Sequence, residues 1–147
     1  MQTTNTPFFS VIIPTKNRPF SINNTLKTFA RQTFKDFEIL VVNDYSDYEY
    51  HFDNEIINNL NFKFLNNQSA PSRSLARNFA LDFVDVSSKY FIFFDDDDYL
   101  EDNYLFELYN KIISTIAVQN MDIFYSNYYK IFLDFQENNY YEFKREY

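Results

Sequence analysis

The sequence predicts an α/β fold: a mostly parallel sheet covered by helices on both faces. Three observations carry that expectation. Short apolar runs of strand length alternate with stretches of helical periodicity. The apolar runs are near-continuous, as strands buried on two faces require. Each run is cut off by a polar segment, so strands and helices follow one another in order along the chain.

Phe8 to Ile13 is the first strand, ending at Pro14, which cannot donate to a sheet ladder. Pro19 and Ser21 supply helix-start signals, and Ile22, Leu26, Phe29 and Ala30 then recur at helical spacing. Phe37 to Val42 is a second strand, closed by Asn43-Asp44-Tyr45-Ser46-Asp47. A weaker helical stretch covers Phe52 to Leu60, and Phe62 to Leu65 is a short third strand. Leu75, Phe79 and Phe83 share one helical face with Ala76 and Ala80 beside them. Tyr90 to Phe94 reads as a fourth buried strand and runs straight into Asp95-Asp96-Asp97-Asp98. Leu105, Leu108, Ile112, Ile113 and Ile116 mark the longest helix, and Met121 to Tyr129 a fifth strand, with the Tyr-rich tail ambiguous.

The chain has 147 residues, 46% of them hydrophobic and 23% charged, which describes one folded domain over residues 1–147. A formal net charge of −8 would repel a phosphate backbone, so nucleic acid is excluded as a general partner. The absence of Cys removes disulfides, thiolate nucleophiles and Cys-ligated metals, and is compatible with the cytoplasm. The polar segment Met1 to Pro7 carries no secretory signal, and the longest apolar runs are too short to cross a bilayer. Gly is missing altogether, which excludes the P-loop, the Gly-rich dinucleotide fingerprint and the Gly-flanked nucleophile elbow. With His51 as the one His, multi-His metal sites are excluded too. Chemistry here has to run on carboxylates, hydroxyls, amides and a few Arg and Lys side chains.

In open α/β sheets ligands bind at the carboxyl ends of the strands. Three polar segments fall there: Pro14-Thr15-Lys16-Asn17-Arg18, Asn43-Asp44-Tyr45-Ser46-Asp47, and Asp95 to Asp98. Four adjacent carboxylates repel one another unless a cation neutralises them. A hard divalent ion, Mg²⁺ or Mn²⁺, suits such oxygen ligands and leaves positions for diphosphate oxygens. A solvated acidic turn capping the next helix is the competing reading.

Taken together, Phe9 to Pro19, Gln32 to Asp47, Ala76-Arg77-Asn78 and Phe94 to Leu100 resemble the family 2 glycosyltransferases, in order and spacing across nearly all of residues 8 to 128. The resemblance implies a GT-A, Rossmann-like fold and a nucleotide-sugar donor, typically a UDP-sugar, whose sugar moves to an acceptor hydroxyl with inversion. It implies that Pro14 and Thr15 line the nucleoside pocket, with Asn17 and Arg18 near its rim. Asp44 matches the carboxylate that accepts the base N3–H; a turn or cap residue is the alternative. Arg77 matches a basic residue near the diphosphate, or is a surface helix Arg. Asp95 and Asp97 match the acidic metal motif, Asp97 as direct ligand, while Asp96 or Asp95 faces the ribose or sugar.

The chain departs from the family pattern at Asn43, where a first Asp is usual, and at Tyr45, where Gly is usual. Tyr cannot reproduce a glycine's positive φ cheaply, so a differently shaped turn is expected there. The segment from Asn66 to Ser74, lacking the usual glycines, is expected to be remodelled, with Asn66 or Asn67 a weak candidate to reach the nucleotide. Relatives continue into an acceptor-binding half that supplies a carboxylate base, and this chain is expected to stop short of that half. Asp122 and Asp134 lack a matching context, and no base is assigned. A saccharide or lipid-linked acceptor, a cytoplasmic place at the inner membrane face, peripheral membrane association and pairing of copies through Tyr140, Tyr141 and Phe143 complete the expectations. A non-catalytic nucleotide-binding fragment and a purely structural acidic domain are the rival readings.

Overall fold

The computed structural model describes residues 6–116, 130–134 and 139–143. Its elements are β1 (Phe9–Thr15), α1 (Pro19–Ala30), β2 (Phe37–Asn43), α2 (Asn54–Ile57), β3 (Asn61–Asn66), α3 (Arg73–Leu81), β4 (Tyr90–Phe93), α4 (Tyr104–Ile116), β5 (Lys130–Asp134) and β6 (Asn139–Phe143). The chain divides into two compact units, Met1–Tyr109 and Asn110–Tyr147. In the second unit, β5 pairs antiparallel with β6. The strand expected over Met121 to Tyr129, including Asp122, lies outside the described residues, as do the side chains of Asp134, Tyr140, Tyr141 and Phe143.

The first unit holds a four-stranded parallel sheet in the order β3-β2-β1-β4. β1 and β2 lie at its centre, and that position explains their unbroken apolar runs. Alternate residues of β1 point to opposite faces, and every one of them is buried. On one face Phe29 of α1 packs its ring near Phe37, at 6.0 Å between centroids, beside buried Ile22 and Leu26. On the other, Ile12 and Val42 pack against Ala76 and Ala80 of α3, with Leu65 and Phe79 around them.

Four sequence expectations change here. β1 does not end before Pro14: it continues to Thr15, pairing Pro14 with Val42 and Thr15 with Asn43. Proline is tolerated so close to the strand end because one missing donor there costs little of the ladder. In α3 the buried positions are Ala76 and Ala80, while Leu75 and, just past the helix, Phe83 stay exposed, because only small side chains let the helix lie close on β1 and β2. β4 is not buried: among the described residues it pairs with β1 alone, and Phe91 and Phe93 are 55% and 47% exposed. The helix expected from Phe52 to Leu60 shortens to α2, started by Asp53, whose carboxylate accepts from the Glu55 N–H at 2.9 Å.

Gln32 shows how the loops between elements are fixed. Fully buried, it donates through Nε2 to the Glu101 carbonyl at 2.7 Å and accepts the Leu105 N–H at 3.0 Å. One side chain thus ties the end of α1 to the start of α4, where orphan helix N–H groups need a partner. Tyr109 stacks on Phe34 at 5.0 Å and meets Phe8 edge-on at 4.9 Å, holding that region against the start of β1. Among the described residues no helix is long and apolar enough to cross a membrane.

Candidate functional site

The carboxyl ends of β1, β2 and β4 bring the three polar segments to one edge of the sheet. The turn after β1 and the turn after β2 are stitched together. Asn17 donates from its amide to Asp47 Oδ2 at 2.8 Å and accepts the Asp47 N–H at 2.9 Å, while its own N–H reaches Ser46 Oγ at 2.9 Å. Asn17 and Tyr45 both sit in the left-handed region, at φ 54° and 59°. The turn after Asp44 therefore keeps the backbone geometry that Gly would give, contrary to the differently shaped turn expected from Tyr45. Asn tolerates that region readily, whereas Tyr is held there at a cost of about 1–2 kcal/mol.

Asp44 is 4% exposed and closely held. Its N–H donates to the Thr15 carbonyl at 2.9 Å, and its Oδ1 accepts both Asn67 Nδ2 at 2.9 Å and the Ser72 N–H at 3.0 Å. Ser72 is the N-cap residue of α3, so the carboxylate stands where helix geometry favours negative charge. Both of these donors fall on Oδ1 and not on Oδ2. Asn67 was a weak candidate in the sequence; buried, it positions Asp44 and also braces its own loop by donating to the Ala70 carbonyl at 2.9 Å.

Thr15 stands at the junction with the acidic run. Its hydroxyl donates to Asp96 Oδ2 at 2.6 Å, which commits its one proton, so the Tyr50 hydroxyl 3.2 Å away donates to Thr15. By the same count Ser46 donates to Tyr50 at 3.0 Å. The result is a directed chain of hydroxyls from Ser46 through Tyr50 and Thr15 to Asp96, each bond polarising the next. Sequence reasoning missed Tyr50; a Tyr among exposed loop residues carries no periodic signal. It missed Thr25 also, whose hydroxyl lies within hydrogen-bond reach of the Asp96 and Asp98 carbonyls, at 2.9 and 3.0 Å, and so pins the acidic turn onto α1.

The four carboxylates of the run do not share one environment. Asp96 is 6% exposed and paired with Arg18, whose NH1 lies 3.1 Å from Asp96 Oδ1 and 2.7 Å from Asp97 Oδ2. The Asp96 charge first, and the Asp97 charge after it, hold the Arg18 guanidinium above its usual pKa against some loss of solvent. Asp95 Oδ1 accepts Arg77 NH2 at 2.7 Å. The Arg77 guanidinium lies 5.8 Å from the centre of the Phe93 ring, and its Nε is buried without a partner. Burial first, then the charges of Asp95, Asp97 and Asp96, raises the pKa of Asp98. Among the described residues no three carboxylate or His side chains converge as a preassembled metal centre. The donor set still fits a hard divalent ion, since Asp95 and Asp97 present carboxylate oxygens on half-exposed side chains.

The predicted residues thus fall into two groups. Thr15, Asn17, Arg18, Asp44, Asp96 and Asp97 are tied to one another by hydrogen bonds, directly or through the stitched turns, while Arg77 and Asp95 form a separate pair beside Phe93. Pro14 lies within the sheet, on the face that α3 covers.

A parallel sheet that gathers buried and half-exposed carboxylates, two Arg and a hydroxyl chain at its carboxyl edge defines an α/β domain, with its polar groups at the edge where open sheets of this kind bind ligands. The chain belongs to glycosyl transferase family 2, whose family profile matches residues 10–147. It is 33% identical over 121 residues to glycosyltransferase GlyA of Streptococcus pneumoniae serotype 4 (strain ATCC BAA-334 / TIGR4), covering 82% of this chain and 16% of that protein. It is 29% identical over 119 residues to the UDP-Glc:alpha-D-GlcNAc-diphosphoundecaprenol beta-1,3-glucosyltransferase WfgD of Escherichia coli, covering 81% of this chain and 45% of that protein. The crystal structure of S. aureus TarS 1-349 in complex with UDP-GlcNAc superposes with a TM-score of 0.59 at 30% identity, covering 72% of this chain and 31% of that one. The chain spans less than half the length of each of these relatives. Its fold is the GT-A type, as the sequence resemblance implied.

Proposed function

We propose that residues 1–147 form the nucleotide-sugar-binding domain of a glycosyltransferase that uses a UDP-sugar and passes the sugar to an acceptor hydroxyl with inversion. The observation that carries this reading is the meeting of Thr15, Asp44 and the acidic run at one sheet edge, in a family whose structural neighbour was crystallised with UDP-GlcNAc. Asp44 Oδ2 accepts the uracil N3–H, with Pro14 and Thr15 beside the nucleoside and Asn17 and Arg18 near its rim. Arg77 serves the diphosphate, and Asp96 or Asp95 faces the ribose or sugar.

Asp97 and Asp95 would hold Mn²⁺ or Mg²⁺, with Asp97 the direct ligand. A divalent ion there neutralises the diphosphate and stabilises the departing nucleoside diphosphate. An acidic domain needs such a mediator, since at a net charge of −8 it would otherwise repel the donor. For the acceptor we propose a saccharide or a lipid-linked saccharide, in polysaccharide synthesis at the inner membrane face. WfgD, with a diphosphoundecaprenol-linked substrate in its name, supports that choice.

The test is calorimetric titration of UDP with Mn²⁺, and again with EDTA, against wild type and Asp97→Ala. Binding should require the metal and be abolished in Asp97→Ala. If well-folded wild-type protein binds no UDP in either condition, the donor-site reading is wrong.

A further inference from the structure

We infer that Arg18 is a built-in counter-ion of the acidic run: it occupies Asp97, a carboxylate the metal would need, and moves to the donor's diphosphate when metal and nucleotide arrive together. The inference rests on the donor-site reading above and adds to it an order of events, in which the metal binds poorly alone and well with the nucleotide.

The geometry has three parts. First, one guanidinium nitrogen serves two carboxylates, lying 3.1 Å from Asp96 Oδ1 and 2.7 Å from Asp97 Oδ2. An Mn²⁺ ion approaching Asp97 would meet a positive charge at the oxygen it must ligate. Second, the backbone of Arg18 is fixed but its side chain is not. Arg18 is the N-cap residue of α1, followed by Pro19 in the first turn, and its carbonyl accepts the Ile22 N–H at 3.1 Å. Its side chain is 48% exposed, so the head can swing on a planted stem. Third, the two Arg side chains of the site differ. The Arg77 side chain is 24% exposed, with its guanidinium against Phe93 and on Asp95, and so is the less free to leave. Of the two cations, Arg18 is the one that can exchange.

Exchange is favourable only when the released guanidinium finds a new anion. The nucleotide supplies one, because Arg binds phosphate oxygens through paired N–H donors as well as it binds carboxylates. Metal alone offers nothing in return for the two contacts it breaks. Asp96 keeps its place throughout, since Thr15 donates to Oδ2 and not to the oxygen Arg18 vacates.

The experiment uses the full chain, with Mn²⁺ alone and then Mn²⁺ with UDP as probes, reading free Mn²⁺ by its electron paramagnetic resonance signal. Wild type, Arg18→Gln and Arg18→Lys are compared after circular dichroism has checked that each is folded. Arg18→Gln should bind Mn²⁺ alone up to about fivefold more tightly than wild type, the scale of one partly exposed charge pair. The factor by which UDP enhances Mn²⁺ binding should fall in Arg18→Gln, and Arg18→Lys should restore weak binding of Mn²⁺ alone. If UDP and Mn²⁺ bind wild type together but Arg18→Gln leaves Mn²⁺-alone affinity unchanged, the counter-ion role is overturned and the donor site stands. If Mn²⁺ alone tightens while the UDP enhancement stays the same, the move to the diphosphate is overturned. If no protein binds UDP with Mn²⁺, the donor-site reading and this inference fall together.

Discussion

Replacing Asp44 by Asn should change which base the site accepts while leaving the protein folded. Both donors to Asp44 fall on Oδ1, from Asn67 at 2.9 Å and the Ser72 N–H at 3.0 Å. An Asn placed there must keep its carbonyl oxygen on those two donors, so its NH₂ takes the position of Oδ2. A uracil N3–H that found an acceptor now meets a donor. Losing a hydrogen bond to a charged acceptor and leaving the N–H unsatisfied costs about 2–3 kcal/mol, or roughly 30- to 150-fold in Kd. Cytosine carries a lone pair at N3, so the same NH₂ can donate to it, and CDP binding should improve by about 1 kcal/mol, several-fold in Kd. Stability should change by less than about 1 kcal/mol, because both hydrogen bonds at Oδ1 survive. Calorimetric titration of UDP and CDP with Mn²⁺, beside thermal melts, measures all three quantities. Unchanged UDP affinity in a folded Asp44→Asn protein would show that the base does not sit at Asp44.

Two further predictions concern the opposite end of the sheet. Lys63 Nζ lies 2.8 Å from Glu38 Oε2, and the two side chains are 40% and 1% exposed, so Glu38 is the partner that cannot turn to water. Lys63→Met should therefore cost about 2–3 kcal/mol in urea unfolding, and adding Glu38→Gln should recover part of that loss; simple additivity of the two changes would refute the coupling. Asp85 Oδ1 accepts the Ser87 N–H at 2.8 Å and the Ser87 hydroxyl, and these bonds hold its pKa below the usual 3.8. A depressed carboxylate stabilises fully above its unfolded value and loses that contribution as pH falls through the folded one. The urea midpoint of Asp85→Asn should thus lie below wild type at pH 7, with the gap closing under acid below about pH 3.8; a gap that widens on acidification would contradict it.

The sheet was legible because its central strands are buried on both faces and so read as unbroken apolar runs. The same rule misled at β4, where Tyr90 to Phe94 has the composition of a central strand but, among the described residues, pairs with β1 alone. Composition records how apolar a strand is and not how many neighbours it has. Glu38 makes the complementary case: one charge inside an apolar run looks like a solvent-facing position, yet Ser10, Lys63 and the Asp85 N–H converge on it from three separate segments. Asp44 and the acidic run were legible as motifs, and the strand ends they follow placed them at one edge. The partners that hold them were not. Asn67, Tyr50 and Thr25 reach Asp44, Thr15 and the acidic turn through hydrogen bonds across 23 to 73 residues of sequence, and nothing local distinguishes them from loop or helix residues.

A chain without a single glycine has consequences before it folds. Every residue carries a side chain that narrows its backbone choices, so the unfolded ensemble is stiffer than usual and has less entropy to lose. Asn17 and Tyr45 show where that stiffness ends up: two L-residues held at positive φ, in the stitched turns that border the carboxyl edge of the sheet. Glycines there would leave a hinge, free to sample many shapes until a ligand selected one. This border is set before any ligand comes, and little of the binding free energy of a donor need go to ordering it.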